Sequence, residues 1–170
     1  MKKIRVLSCV SAAAAAALAL AAPAQASPVA GHIGVGISET LGAGTGANIV
    51  YDAGIWHADG TLSLAKIGGL LGTGDTSILG LSGHGWYHLN SAAASDFSVG
   101  GGLSFYRRDP DGDPPARSAV SIDIGFQIRA FVTSNVSVSG IGGLSIFTGD
   151  ADGYSLGGEP LGAFAFTYFF

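Results

Sequence analysis

Cysteine is almost missing from this 170-residue chain, and the single one, Cys9, lies within the first 26 residues. Residues 27–170 therefore hold no disulfide, no thiolate nucleophile and no cysteine metal centre. Charge is scarce as well. Asp, Glu, Lys and Arg together make up 12% of the chain, about half the globular average. Beyond residue 26 the basic side chains are Lys66, Arg107, Arg108, Arg117 and Arg129, set against twelve acids. That balance disfavours nucleic acid as a partner. Long apolar runs are also missing: hydrophobic residues reach 48%, yet after the N-terminal region no stretch approaches the roughly 18 apolar residues of a spanning helix. Glycine, by contrast, is abundant at 28 residues, which opposes long helices.

The one apolar run stands at the start. Lys2, Lys3 and Arg5 precede Val6 to Ala22, and Pro23-Ala24-Gln25-Ala26 follows. A basic beginning, a short apolar core and an A-x-A exit describe a secretory signal peptide over residues 1–26. Residues 27–170 are then one exported domain.

Within that domain, apolar residues recur with a period of two, the mark of β-strands with one apolar face. Eight segments show it. "VAGHIGVGIS" and "NIVYDAGIWH" come first, then a poorly alternating piece from Thr61 to about Leu71 and a run from Ser77 to Leu89. "FSVGGGLSFYR", "AVSIDIGFQIRA" and "VSVSGIGGLSIF" follow, and "LGAFAFTYFF" closes the chain. The faces opposite the apolar ones carry mainly Gly, Ser and Ala. A soluble sandwich would set charged and polar residues there, facing water. Small residues instead suit a crowded lumen, with lipid covering the apolar side. The expected fold is all-β, an eight-stranded antiparallel up-and-down transmembrane β-barrel. Closure removes the unpaired strand edges that a bilayer cannot satisfy.

The connections read as alternately short and long. "HADG" (57–60), "NSAAASD" (90–96) and "TSN" (133–135) are expected as periplasmic turns. "ETLGAGTGA" (39–47), "GTGD" (72–75), "DPDGDPPAR" (109–117) and "TGDADGYSLG" (148–157) are expected as outer loops. Eight strands put both termini on the periplasmic side.

Phe164, Phe166, Tyr168 and Phe170 place an aromatic at every second position of the last strand. With the signal peptide and the alternating strands, this resembles the small eight-stranded outer-membrane barrels of Gram-negative bacteria, the OmpA/OmpX-like group. The resemblance covers essentially all of residues 27–170. It implies the outer membrane as location, lipid and lipopolysaccharide as surroundings, and recognition of the four terminal aromatics by the barrel-assembly machinery. It is silent about what a given barrel does. The role expected from it is non-enzymatic: envelope integrity, surface interaction through outer loops, or both, in a monomer without cofactor. A narrow channel for small or apolar solutes, as in OmpW-like barrels, is the alternative. A lipid-modifying hydrolase built on Ser82 and His84 is a further one, but in-strand neighbours lie roughly 7 Å apart, too far for direct proton transfer.

Charged residues of lumen parity are Asp52, Lys66, Asp123, Arg129 and Glu159. Cations at the lipid midplane cost about 2–4 kcal/mol, so these side chains are expected to point inward and pair. Asp52 and Lys66 flank the "HADG" turn and are expected to face each other. That orientation turns Leu62 and Leu64 inward too, a conflict that a bulge would resolve. His32, His84 and His88 share the lumen face, while His57 is expected at a turn. His84 and His88 are some 13 Å apart by strand rise and cannot chelate one ion together, so lumen hydrogen bonding is their expected role.

Two loop motifs carry less. "GLLGTGDT" (69–76) has Asp75 where a phosphate-binding loop needs lysine. Asp109, Asp111 and Asp113 begin like a calcium loop, but the twelfth position is Val120 rather than Glu. A looser divalent site with Asp150 and Asp152 stands beside the plainer reading, a solvated acidic loop.

Overall fold

The structure is a computed structural model that describes residues 27–40, 44–68, 75–111, 115–150, 152–157 and 162–170. Nine strands run in chain order: β1 (Ile33–Thr40), β2 (Gly44–Asp52), β3 (Trp56–Ile67), β4 (Thr76–Ala92), β5 (Ser95–Pro110), β6 (Arg117–Thr133), β7 (Val136–Gly149), β8 (Gly153–Leu156) and β9 (Ala163–Phe169). Each pairs antiparallel with its neighbour from β1 through β7. β9 pairs with both β7 and β1, which closes the sheet. β8 and β9 lie along the same edge of β7, β9 on Val136–Ile141 and β8 on Leu144–Phe147. They are two pieces of one stave, so nine strands make an eight-stave closed barrel. No described helix is long and apolar enough to cross a membrane.

The molecule is apolar outside and polar inside. Among the described residues, eight apolar side chains are buried against twenty polar or charged ones. Ile37, Ile49, Leu64, Leu81, Leu103, Ile124 and Phe166 stand exposed on seven different staves. A water-soluble domain has the reverse distribution. β9 shows the alternation plainly: Phe164, Phe166 and Tyr168 face out, while Ala163, Ala165, Thr167 and Phe169 face in.

Glycine makes the narrow bore feasible at the middle of β5. A Cβ on Gly100 would lie 2.0 Å from the Gly85 carbonyl oxygen, one on Gly101 2.2 Å from that of Asp123, and one on Gly102 2.0 Å from that of Gly83. The backbones approach too closely there for any side chain.

One end of the barrel, the lower, has tight turns and both described termini. Ala93–Ala94 joins β4 to β5, and Ser134–Asn135 joins β6 to β7. The first hairpin corrects the expected strand and turn. "NIVYDAGIWH" is not one strand, because the chain reverses over residues 53–55 and "HADG" lies within β3. Asp52 Oδ1 accepts a hydrogen bond from the Gly54 amide at 2.8 Å, and Gly54 takes φ of 91°, a conformation glycine tolerates. The three-residue turn shifts parity: Trp56 faces out at 43% exposure and His57 is buried. At the other end β4, β5, β6 and β7, 14–17 residues long, rise beyond the 8 residues of β1. Below, residues 27–32 fold across the lower opening. The Gly31 amide donates to Asp52 O, the Asp52 amide donates to His32 O, and Val29 packs with Val50, Phe131 and Phe169.

Candidate functional site: a two-layer polar lumen

The lower layer is built on Arg129, which β6 points inward from the cross-strand position opposite Asp96 on β5. Its Nη2 donates to Asp96 Oδ2 at 2.7 Å and its Nε to the same oxygen at 3.0 Å. Nη2 also donates to Asp52 Oδ2 and, at 3.4 Å, to Ser27 Oγ. All three charged groups are buried. The guanidinium carbon lies 5.0 Å from the Phe131 ring centroid and 5.7 Å from that of Phe169, so the cation is flanked by aromatic faces as well as by carboxylates. Beside it, His57 and His88 bring ring nitrogens within 2.6 Å of each other, and His88 Nδ1 lies 2.8 Å from the Gly54 carbonyl oxygen.

The upper layer is centred on His84. Nδ1 lies 3.1 Å from Asp59 Oδ1 and Nε2 lies 3.3 Å from Asp123 Oδ2. Asp123 also accepts from Ser104 at 2.6 Å and Ser121 at 3.0 Å, and Trp86 donates its indole N–H to Asp59. Both His84 nitrogens are thus committed to carboxylates, and neither is left to take a proton from Ser82. Between the layers lies a cavity of about 30 Å³, lined by His57, Asp59, His84, Gln127 and Arg129 among others. That is room for a water or two.

Of the charged residues with expected lumen parity, Asp52, Asp123 and Arg129 lie inside. Lys66 does not, and its expected pairing with Asp52 is overturned. β3 runs without a bulge, so Leu62, Leu64 and Lys66 share its outward face. Lys66 sits near the upper end of β3, 66% exposed, with Nζ 3.1 Å from Asp75. Glu159 lies outside the described residues. His57, Asp59 and Asp96, which the sequence reading assigned to turns, are lumen groups instead. Asp52-Ala53-Gly54 was the available clue, since Asp followed two positions later by Gly marks a turn. His32, expected on the lumen face, is exposed, with its Nδ1 3.1 Å from the Ala30 carbonyl oxygen.

The upper-end acids are exposed and engaged locally. Asp109 lies 3.2 Å from Arg107. Asp150 accepts from the Ser118 amide at 2.8 Å and the Ser118 hydroxyl at 3.1 Å. These bonds, the amide first, hold its carboxyl below the usual range. Asp152 accepts from the Gly149 amide at 3.2 Å. Asp111 donates its amide to the Asp75 carbonyl, and Asp113 lies outside the described residues. Of the four terminal aromatics, Phe164, Phe166, Tyr168 and Phe170 are all exposed on the outer surface.

No protein-family model matches this sequence, and no curated protein sequence does. Among solved structures, the chain is similar to the crystal structure of Ail, the attachment invasion locus protein of Yersinia pestis, at a TM-score of 0.45 and 14% identity, covering 82% of this chain and 97% of that one.

Proposed function

We propose that this protein is a non-enzymatic barrel of the outer membrane, spanning the bilayer with a sealed lumen and acting through its upper end on the cell surface. One observation carries the reading: an apolar exterior surrounds an interior of salt bridges in which the cavities beside His84 and beside Ser104 measure about 30 Å³ each. Lipid is the solvent that satisfies such an exterior, and β9, paired with both β7 and β1, closes the sheet so that no edge is left open along Ala163–Phe169. The alternate outward aromatics Phe164, Phe166, Tyr168 and Phe170 support recognition by the assembly machinery. Arg107, Arg108 and Arg117 gather at the base of the third upper loop, where their guanidinium groups are suited to lipopolysaccharide phosphates. The acids beyond them favour basic or cationic partners over anionic ones. In this orientation the tight turns and both termini are periplasmic.

Planar-bilayer recording of the purified barrel tests the sealed lumen. No discrete conductance steps are expected at moderate voltage. Stable single-channel steps would overturn the reading in favour of a narrow channel.

A further inference from the structure

The lower layer holds more than an ion-pair network. Asp52 and Asp96 face a single guanidinium, so with neutral histidines the cluster keeps an excess negative charge. His88 Nδ1 lies 2.8 Å from the Gly54 carbonyl oxygen. A carbonyl only accepts, so Nδ1 carries the hydrogen and the neutral ring presents the Nε2 lone pair. A ring N–H held by a backbone carbonyl in this way is what orients metal-binding imidazoles. That lone pair points at His57 Nδ1, 2.6 Å away. His57 is 1% exposed, and apart from His88 the side chain it meets is that of Gln127, to which its Nε2 makes no bond of good geometry. Asp52 completes the group: one ligand atom from each of Asp52, His57 and His88 lies within 4.8 Å of the other two. Arg129 occupies Asp52 Oδ2, while Oδ1 accepts only the Gly54 amide and keeps a second lone pair.

We propose that Asp52, His57 and His88 form a binding site for a divalent transition-metal ion of the zinc class at the lower end of the lumen. Two imidazoles and one carboxylate are ligands that zinc, copper and nickel take in preference to calcium or magnesium. Tetrahedral bonds of about 2.0–2.1 Å hold ligand atoms about 3.3 Å apart. The facing histidine nitrogens therefore open by less than an ångström and the carboxylate closes in. Water takes the fourth position, beside the small cavity. The ion offsets the excess negative charge and ties the ends of β2, β3 and β4 together. Strand rise keeps His84 and His88 from sharing an ion, as their spacing in the sequence implies; the partner of His88 is His57, which the hairpin turn at 53–55 brings to it.

The test uses the refolded full barrel in detergent, stripped with a chelator and then dialysed against Zn²⁺. One ion per chain is expected. A His57→Gln/His88→Gln double variant that still shows heat-modifiable migration should bind at least roughly 10–100-fold more weakly, the loss produced by removing even a group that only hydrogen-bonds to a ligand. His32→Gln should bind as the unaltered chain does. Imidazole ¹⁵N spectra of the unaltered protein decide the matter if the double variant does not fold: Zn²⁺ should move two buried rings and leave the exposed His32 ring in place. Substoichiometric binding, undiminished binding by the folded double variant, or shifts confined to His32 would overturn the proposal.

Discussion

Arg129 sits where removal of one side chain leaves two carboxylates stranded. Asp52 and Asp96 are buried in a lumen with little room for solvent. Breaking a buried ion pair from one side costs about 3–5 kcal/mol. Arg129→Met should therefore lower the urea midpoint of the vesicle-inserted barrel by that equivalent. Adding Asp52→Asn and Asp96→Asn to Arg129→Met should recover a large part of the loss, because no unpaired charge remains. If the single variant unfolds at the unaltered midpoint, the lower layer does not hold the barrel together. Arg129 was legible in the sequence because a cation in the most regular strand of the chain has to face inward. Its partner Asp96 was not, since it stands at the very start of β5, beside a turn, where an acid reads as solvated. Lys66 misled for the opposite reason. It lies near the upper end of β3, where a cation can face outward and pair with Asp75.

β5 is held against its neighbours by three consecutive glycines, and their tolerance to substitution separates them from Gly85 one strand away. A Cβ on Gly102 would lie 2.0 Å from a carbonyl oxygen, whereas one on Gly85 meets nothing within 4 Å. Gly102→Ala should cost at least the roughly 1–3 kcal/mol of overpacking and reduce the folded fraction seen by heat-modifiable migration. Gly85→Ala should fold as the unaltered chain does. Equal behaviour of the two would contradict the close approach of β5 to β4. Most of the strands were legible from their period of two, β6 and β9 most clearly. The first hairpin was not. Apolar alternation continues through "NIVYDAGIWH" while the backbone reverses, and only the Asp52-x-Gly54 signal marks the break. The eighth stave also escapes the pattern, because β8, Gly153–Leu156, continues it along β7 inside the Gly- and Asp-rich stretch 148–157, whose composition is that of a loop.

For the barrel as an assembled object, the central claim is the inversion of sides: apolar residues on the exterior, charges sealed within. The chain has two tryptophans, and they fall on opposite sides. Trp56 is 43% exposed on the outer surface, and Trp86 is 1% exposed inside, bonded to Asp59. The parity shift at residues 53–55, which turns Trp56 outward, is what separates them. Fluorescence of single-tryptophan variants in vesicles, Trp86→Phe and Trp56→Phe, reads the inversion directly with brominated lipids and aqueous acrylamide as quenchers. Trp56 should be quenched by the brominated acyl chains. Trp86 should be shielded from lipid and acrylamide alike. Lipid quenching of Trp86, or acrylamide quenching of both without any effect of brominated lipid, would contradict a sealed barrel that faces the bilayer.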